Sequence, residues 1–303
     1  MVSTLRDIRD AEVVAVASPT TGRAESFAAS HDIPRSVATV EALANLDIDV
    51  AYIGSSNHRH YGDATTLLEA GVAVLCEKSL ATTAFEADRM VATARQQGVF
   101  LMEAMWMRFV PMWDRLVDLI GNGAIGPLRL IRADFGIKAE DDPTRRWFNP
   151  AHGGGALLDV GIYPVSFAVG LAGVPVSVEA VGTMTDTGVD GQVGMVFRHD
   201  HDVISVLDCS FVADTPIGAV VSGPRGRIVL DPPFHHSPRL ALYNAGNQIE
   251  VFDVGYTGSG YRFEVEEVHR CLAAGLTESA LRPLDDTIDV MRVLDSVRSA
   301  AFS

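Results

Sequence analysis

The chain has 303 residues, 48% of them hydrophobic, which is enough apolar material for large cores and fits two domains better than one. Lys+Arg 24 against Asp+Glu 39 leaves a net charge of -15, which repels phosphate backbones and anionic lipid and so excludes nucleic acid as a partner. No continuous apolar run reaches the ~18 residues of a membrane span. The first residues also lack the charged-then-apolar order of a signal peptide, so a cytoplasmic protein with no membrane association is expected.

Residues 1–9 carry apolar side chains at helical spacing and lead straight into the apolar run 13–17, which suits a strand. Further apolar runs at 50–53, 72–75 and 99–102 alternate with helix-like segments at 23–31, 61–70 and 83–97, the rhythm of a parallel α/β sheet. Gly71 and Gly98 fall between helix and strand, where a residue of positive φ closes a helix. A dinucleotide-binding unit begins strand, Gly-x-Gly-x-x-Gly, helix, strand. Here only the helix and the second strand stand at the start, so the first strand and the glycine loop that cradles the pyrophosphate are missing.

After about residue 104 the rhythm changes. Helical stretches at 114–120 and 156–171 are followed by strand-like runs at 128–135, 176–183, 193–198, 203–211, 217–222, 227–230, 240–243 and 248–254, joined by short polar turns that favour antiparallel pairing. Closing helices are read at 263–274 and 287–301. The expected architecture is therefore α/β plus α+β: an incomplete Rossmann-like parallel sheet over residues 1–104, and over 105–303 a domain built on a large, mainly antiparallel open sheet. Cys76, Cys209 and Cys271 are odd in number and far apart, and read as reduced, buried thiols. His199, His201, His235 and His236 lack companion ligands at metal-like spacing and read as polar turn residues, so no metal is expected.

Two constellations carry chemistry. Glu77-Lys78 ends the third visible strand, the edge of an open α/β sheet where ligands bind. The run from Gly153 to Pro164 places Asp159 and Tyr163 four residues apart, on one face of a helix that Pro164 disturbs locally. A neighbouring ammonium stabilises phenolate, so a Lys and Tyr pair makes a proton relay. The plain alternatives are a solvated lysine and a half-buried tyrosine behind a glycine turn.

In order along the chain, Ser55-Ser56-Asn57-His58-Arg59-His60, Cys76-Glu77-Lys78, the segment from Met102 to Phe109, Arg146-Trp147-Phe148-Asn149-Pro150 and Gly154-Gly155-Ala156-Leu157-Leu158-Asp159-Val160-Gly161-Ile162-Tyr163-Pro164 resemble the glucose-fructose oxidoreductase and inositol dehydrogenase family, nearest its dihydrodiol and xylose dehydrogenase branch. The resemblance spans essentially the whole chain. It implies an oxidoreductase moving a hydride between nicotinamide and the secondary alcohol or ketone of a small sugar or cyclic diol, working as a homo-oligomer, dimer or tetramer. By the same resemblance Lys78, Tyr163 and Asp159 are catalytic, with Tyr163 as general acid or base. Ser55, Asn57, His60, Glu77 and Lys78 line the nicotinamide ribose, and Trp106, Arg108 and Arg146 border the substrate.

The strand ending at Ala17 is followed by Ser18, Thr20 and Arg23 in place of an acidic residue, which favours NADP over NAD through contact with a 2′-phosphate. The family usually has a cis proline after the Glu-Lys pair. This chain has Ser79, and because a non-proline cis peptide costs ~3 kcal/mol the bond is expected to be trans, with Lys78 displaced. Three accounts of the missing first strand stand: an internal methionine taken as the start, which is the favoured one; a rearranged sheet; or a degenerate, non-catalytic relative acting as a ligand-binding or partner protein.

Overall fold

The computed structural model describes residues 1–140, 142 and 144–303. The N-terminal elements run α1 (Val2–Arg6), β1 (Ala15–Ala17), α2 (Arg23–Ser30), β2 (Arg35–Val37), α3 (Val40–Ala44), β3 (Val50–Ile53), α4 (Asn57–Glu69), β4 (Ala73–Glu77), α5 (Ala84–Gln97) and β5 (Leu101–Ala104). Every strand pairing among them is parallel, as the alternation of short apolar runs and helices dictates. Local chemistry sets the boundaries. Thr83 caps α5 by accepting the Glu86 N–H at 3.2 Å, and Gly98 closes it at φ 65°. The short β2 and α3 are not announced by any apolar period; α3 is one turn started by the Thr39 cap.

The parallel strands form two separate sheets, β1-β2 and β3-β4-β5. In a doubly wound sheet the strand missing from the sequence pattern lies between these two halves. None of the β1 residues is fully buried, and Val50 and Tyr52 on β3 are half-buried. Met1, Leu5 and Ile8 pack against the same buried cluster as Val50 and Tyr52.

The rest of the chain continues through α6 (Pro111–Gly121), β6 (Leu130–Gly136), α7 (Ile162–Ala172), β7 (Ser177–Met184), β8 (Asp190–Arg198), β9 (Ile204–Ser210), β10 (Ala219–Gly223), β11 (Gly226–Leu230), β12 (Arg239–Asn244), β13 (Asn247–Asp253), α8 (Tyr261–Ala273) and α9 (Leu284–Phe302). The eight strands form one open sheet in the order β13-β12-β11-β10-β6-β9-β8-β7. Its pairings are antiparallel except β6 with β9, where Leu130 lies opposite Ile204. Alternation is clean in β8: Val193, Met195 and Phe197 are buried, whereas Gln192, Val196 and Arg198 face outward.

The main core is continuous from α4, α5 and β4 through α7 to the inner face of the large sheet. A smaller core lies on the other face of β3-β4-β5, where α8 contributes Val265, Val268 and Cys271. Segment 150–172 is long and apolar enough to pass for a membrane span, but 83% of its most apolar window is buried inside the protein, so it is a core element. Cys76, Cys209 and Cys271 are free and buried, as expected.

Candidate active site

The C-terminal end of β4 delivers Glu77 and Lys78 into a space closed by the turn before α7. Lys78 Nζ donates to Asp159 Oδ1 at 3.0 Å and to the Asp159 carbonyl at 2.6 Å, and both side chains are about seven-eighths buried. Arg146 reaches the same carboxylate at 3.5 Å from the solvent side. Tyr163 stands over this pair, with Lys78 Nζ 5.2 Å from its ring centroid, and its hydroxyl oxygen accepts the Trp106 indole N–H at 2.9 Å. Sequence-distant Lys78, Trp106, Arg146, Asp159 and Tyr163 thus meet in one place.

The backbone that brings them together has an unusual shape. Residues Leu157–Gly161 form a π turn that runs into α7. Pro164 has no N–H to give to the carbonyl four residues back, and a widened turn just upstream accommodates that loss. Gly154 and Gly155 precede the turn. A Cβ on Gly154 would stand within 3 Å of the carbonyl oxygens of Arg146, Trp147 and Asn149, and one on Gly155, at φ 125°, would collide with the Asp190 carboxylate. The glycine pair is required by close approach as well as by dihedral angle.

The Lys78–Ser79 bond is cis, against the expectation of a trans bond with a displaced lysine. The loop's polar groups are taken up by tertiary bonds: Ser79 Oγ donates to the Leu158 carbonyl at 2.8 Å, the Ser79 carbonyl meets His60 Nδ1 at 2.8 Å, and Leu80 N–H donates to Glu103 at 3.2 Å. These contacts hold Lys78 over Asp159. Glu77 receives the Tyr52 hydroxyl at 2.5 Å and the Lys78 N–H at 3.2 Å.

Burial and the ion pair set the charges of this cluster. Burial pushes the Asp159 acid up, but Lys78 and then Arg146 outweigh it and hold the carboxyl below its ordinary range. Burial drives the Tyr163 phenol well above its usual range, opposed only in part by the Trp106 hydrogen bond. The Lys78 ammonium is paired with Asp159. Tyr163 is consequently a protonated acid at neutral pH.

Of the residues expected at the nicotinamide ribose, Asn57 Nδ2 donates to the Gly153 carbonyl at 3.4 Å, and Ser55 Oγ donates to Asp63 at 2.9 Å. His60 is fully buried, with Nδ1 on the Ser79 carbonyl and Nε2 on that of Ser55 at 3.0 Å. It ties two loops together. Ser18, Thr20 and Arg23 follow β1 and make local contacts: Ser18 Oγ accepts the Thr20 N–H at 3.3 Å, and Arg23 N–H donates to the Thr20 carbonyl at 3.0 Å. Arg108 is corrected. Its guanidinium is buried over the Trp113 ring at 4.4 Å and lies 3.6 Å from Asp286, so it packs between helices and does not join the Lys78 cluster.

Three of the four histidines are corrected too, while His201 is an exposed turn residue as expected. His235 is buried, stacked on Phe135 at 4.8 Å and 4.9 Å from the Tyr163 ring, and His236 stacks on Trp106 at 5.2 Å. Burial, then His236 and Lys78, lower the His235 pKa to about 3, so it is neutral. With Tyr261, 5.1 Å from Trp106, these rings build an aromatic wall that no local pattern signals, because a Pro-Pro-Phe-His-His turn reads as polar punctuation. His199 is likewise buried, bonded to Gly173 O and Ser205 Oγ at 2.8 Å each.

A nicotinamide ring fits what the nearer half offers: an acid, a cation and neutral hydroxyl and amide groups at the C-terminal ends of β3 and β4. Residues 2–105 match the "Oxidoreductase family, NAD-binding Rossmann fold" and residues 113–229 the "GFO/IDH/MocA C-terminal domain". Curated relatives include the trans-1,2-dihydrobenzene-1,2-diol dehydrogenase of Homo sapiens, 36% identical over 300 residues and covering 95% of this chain and 88% of its own length. That of Xenopus tropicalis is 35% identical over 297 residues, covering 94% and 88%. Among solved structures, the aldose-aldose oxidoreductase from Caulobacter crescentus complexed with glycerol superposes with a TM-score of 0.89 at 24% identity, covering 99% of this chain and 92% of that one. A levoglucosan dehydrogenase in complex with NADH and levoglucosan gives 0.85 at 21%, covering 95% and 88%. The chain belongs to the GFO/IDH/MocA family of oxidoreductases, whose N-terminal part is an NAD-binding Rossmann fold.

Proposed function

We propose that this oxidoreductase moves a hydride between NADP, or less favourably NAD, and a secondary alcohol or ketone on a small sugar or cyclic diol. The observation that carries the reading is the Lys78–Asp159 pair seated under Tyr163, whose phenol oxygen is fixed by Trp106. A bound nicotinamide supplies or accepts the hydride. In the carbonyl-reducing direction Tyr163 gives its phenolic proton to the substrate oxygen, and Lys78 lends positive charge to that oxygen as it becomes an alkoxide. Asp159 holds Lys78 in place. Arg146 and the ring of Trp106 border the substrate, and the names of the curated relatives support a cyclic diol as one of its forms.

Ser55, Asn57, His60 and Glu77 shape the nicotinamide half, with His60 acting through the loops it ties. Ser18, Thr20 and Arg23 at the end of β1 face the adenosine half. Residues 1–104 form the dinucleotide-binding part and 105–303 the substrate-binding and self-associating part. The protein works as a homo-oligomer, dimer or tetramer, in the cytoplasm.

The test is Tyr163→Phe. Turnover of a cyclic diol with NADP is expected to fall by about 10², while NADPH affinity, read by nicotinamide fluorescence, stays within about twofold. Undiminished turnover refutes the assignment.

A further inference from the structure

The turn that carries Asp159 is gripped from the sheet side by an acid that the chemistry above does not use. Asp190, at the start of β8, is more than nine-tenths buried and occupies the space where a side chain on Gly155 would stand. Its Oδ2 accepts the Leu157 N–H at 2.5 Å. From β9, Cys209 lies against Gly161 at the far end of the same turn. The charged and titratable groups facing Asp190 are few. Arg298 approaches from α9, where it is bound to Asp295 at 3.0 Å, and Cys209 faces it from β9; β7 offers the uncharged Met184 opposite.

We propose that Asp190 is the positioning residue of the active site: its carboxylate fixes Leu157, and through it sets Asp159 against Lys78 and Tyr163 beneath Trp106. The inference rests on the catalytic set proposed above. An ionised acceptor makes N–H bonds roughly twice as strong as a neutral one, so the grip is firm when Asp190 is charged and slack when it is protonated. Burial raises this acid from its ordinary 3.8 to about 6, against the opposing pull of the Leu157 N–H. A carboxyl raised in the folded state contributes stability that is fully present below about pH 4 and is lost as pH rises through about 6. Acidification from pH 7 to 5 therefore increases Asp190's contribution to global stability while it loosens the turn. A purely structural acid moves both the same way.

The experiment compares the full chain with Asp190→Asn by amide hydrogen exchange of segment 155–163, corrected for intrinsic rates, between pH 5 and 7.5 without ligand. Turnover and NADPH affinity are measured across the same range. Protection in the parent is expected to drop about tenfold from pH 7 to 5, with kcat falling below about pH 6. Asp190→Asn is expected to show low, pH-independent protection and no acid limb in kcat, with NADPH affinity unchanged. Protection that is constant with pH in the parent, or an acid limb retained by Asp190→Asn, overturns the proposal. Should Asp190→Asn fail to fold, the parent's exchange profile decides alone. Absence of turnover in the parent sinks the hydride-transfer reading, while the exchange data still decide on the grip.

Discussion

Asp159 holds two cations, of which only Lys78 is enclosed. Replacing it with Asn leaves a buried ammonium with a carbonyl for company, and breaking a buried pair from one side costs about 3 kcal/mol. Asp159→Asn is therefore expected to lower the unfolding free energy from urea titration by that amount and to lower kcat, while Arg146→Ala, which removes the half-exposed partner, stays within about 1 kcal/mol. The acid behaviour has a definite sign. A carboxylate whose pKa is depressed on folding contributes stability above its unfolded value of about 4 and loses it as pH falls through the lower, folded value. Stability measured from pH 5 down to 2 should thus fall less steeply in Asp159→Asn than in the parent; equal slopes contradict the pairing.

At the scale of elements, the turn into α7 depends on Gly155. Its φ of 125° is hostile to any side chain, and the first carbon of one meets the Asp190 carboxylate. Gly155→Ala is expected to cost at least about 2 kcal/mol in a denaturation curve and to depress kcat, because the turn cannot shift without moving Asp159. This dependence was partly legible in the sequence. The Gly-Gly-Ala-Leu-Leu-Asp order pointed to a glycine turn entering a helix with Asp159 and Tyr163 on it, and the strand runs at 50–53 and 227–230 were read within a residue. The pairing of Lys78 with Asp159 was not legible, since 81 residues separate them and only the fold supplies the meeting point. The aromatic wall of His235, His236 and Tyr261 escaped for the same reason, and Arg108 was misplaced because its partners Trp113 and Asp286 lie on other helices.

For the whole molecule, the outer face of the eight-stranded sheet is the feature that bears on assembly. Reading across the register from β8 to β13, one row runs Val196, Val206, Arg132, Val220, Val229, Ala241, Val251. Val196, Val206 and Val251 are exposed, and Val181 beside them is 74% exposed. An apolar row broken by one charge suits a self-complementary contact with a second copy. If the proposed self-association uses this face, Val206→Asp is expected to lower the mass in light scattering after size exclusion to that of one chain; an unaltered mass rules out this face.

The same sheet has a consequence in time. Strand β6 is flanked by β9 and β10, so Leu130 must find Ile204, and Ala133 must find Ala219, before the centre of the sheet closes. Contacts of such sequence separation are entropically expensive to begin and place a chain among the slow folders. On a ribosome adding about 5 to 20 residues per second, β6 waits several seconds for the strands on either side of it. Both of its backbone edges lack their partner strands throughout that interval, which leaves it open to mispairing.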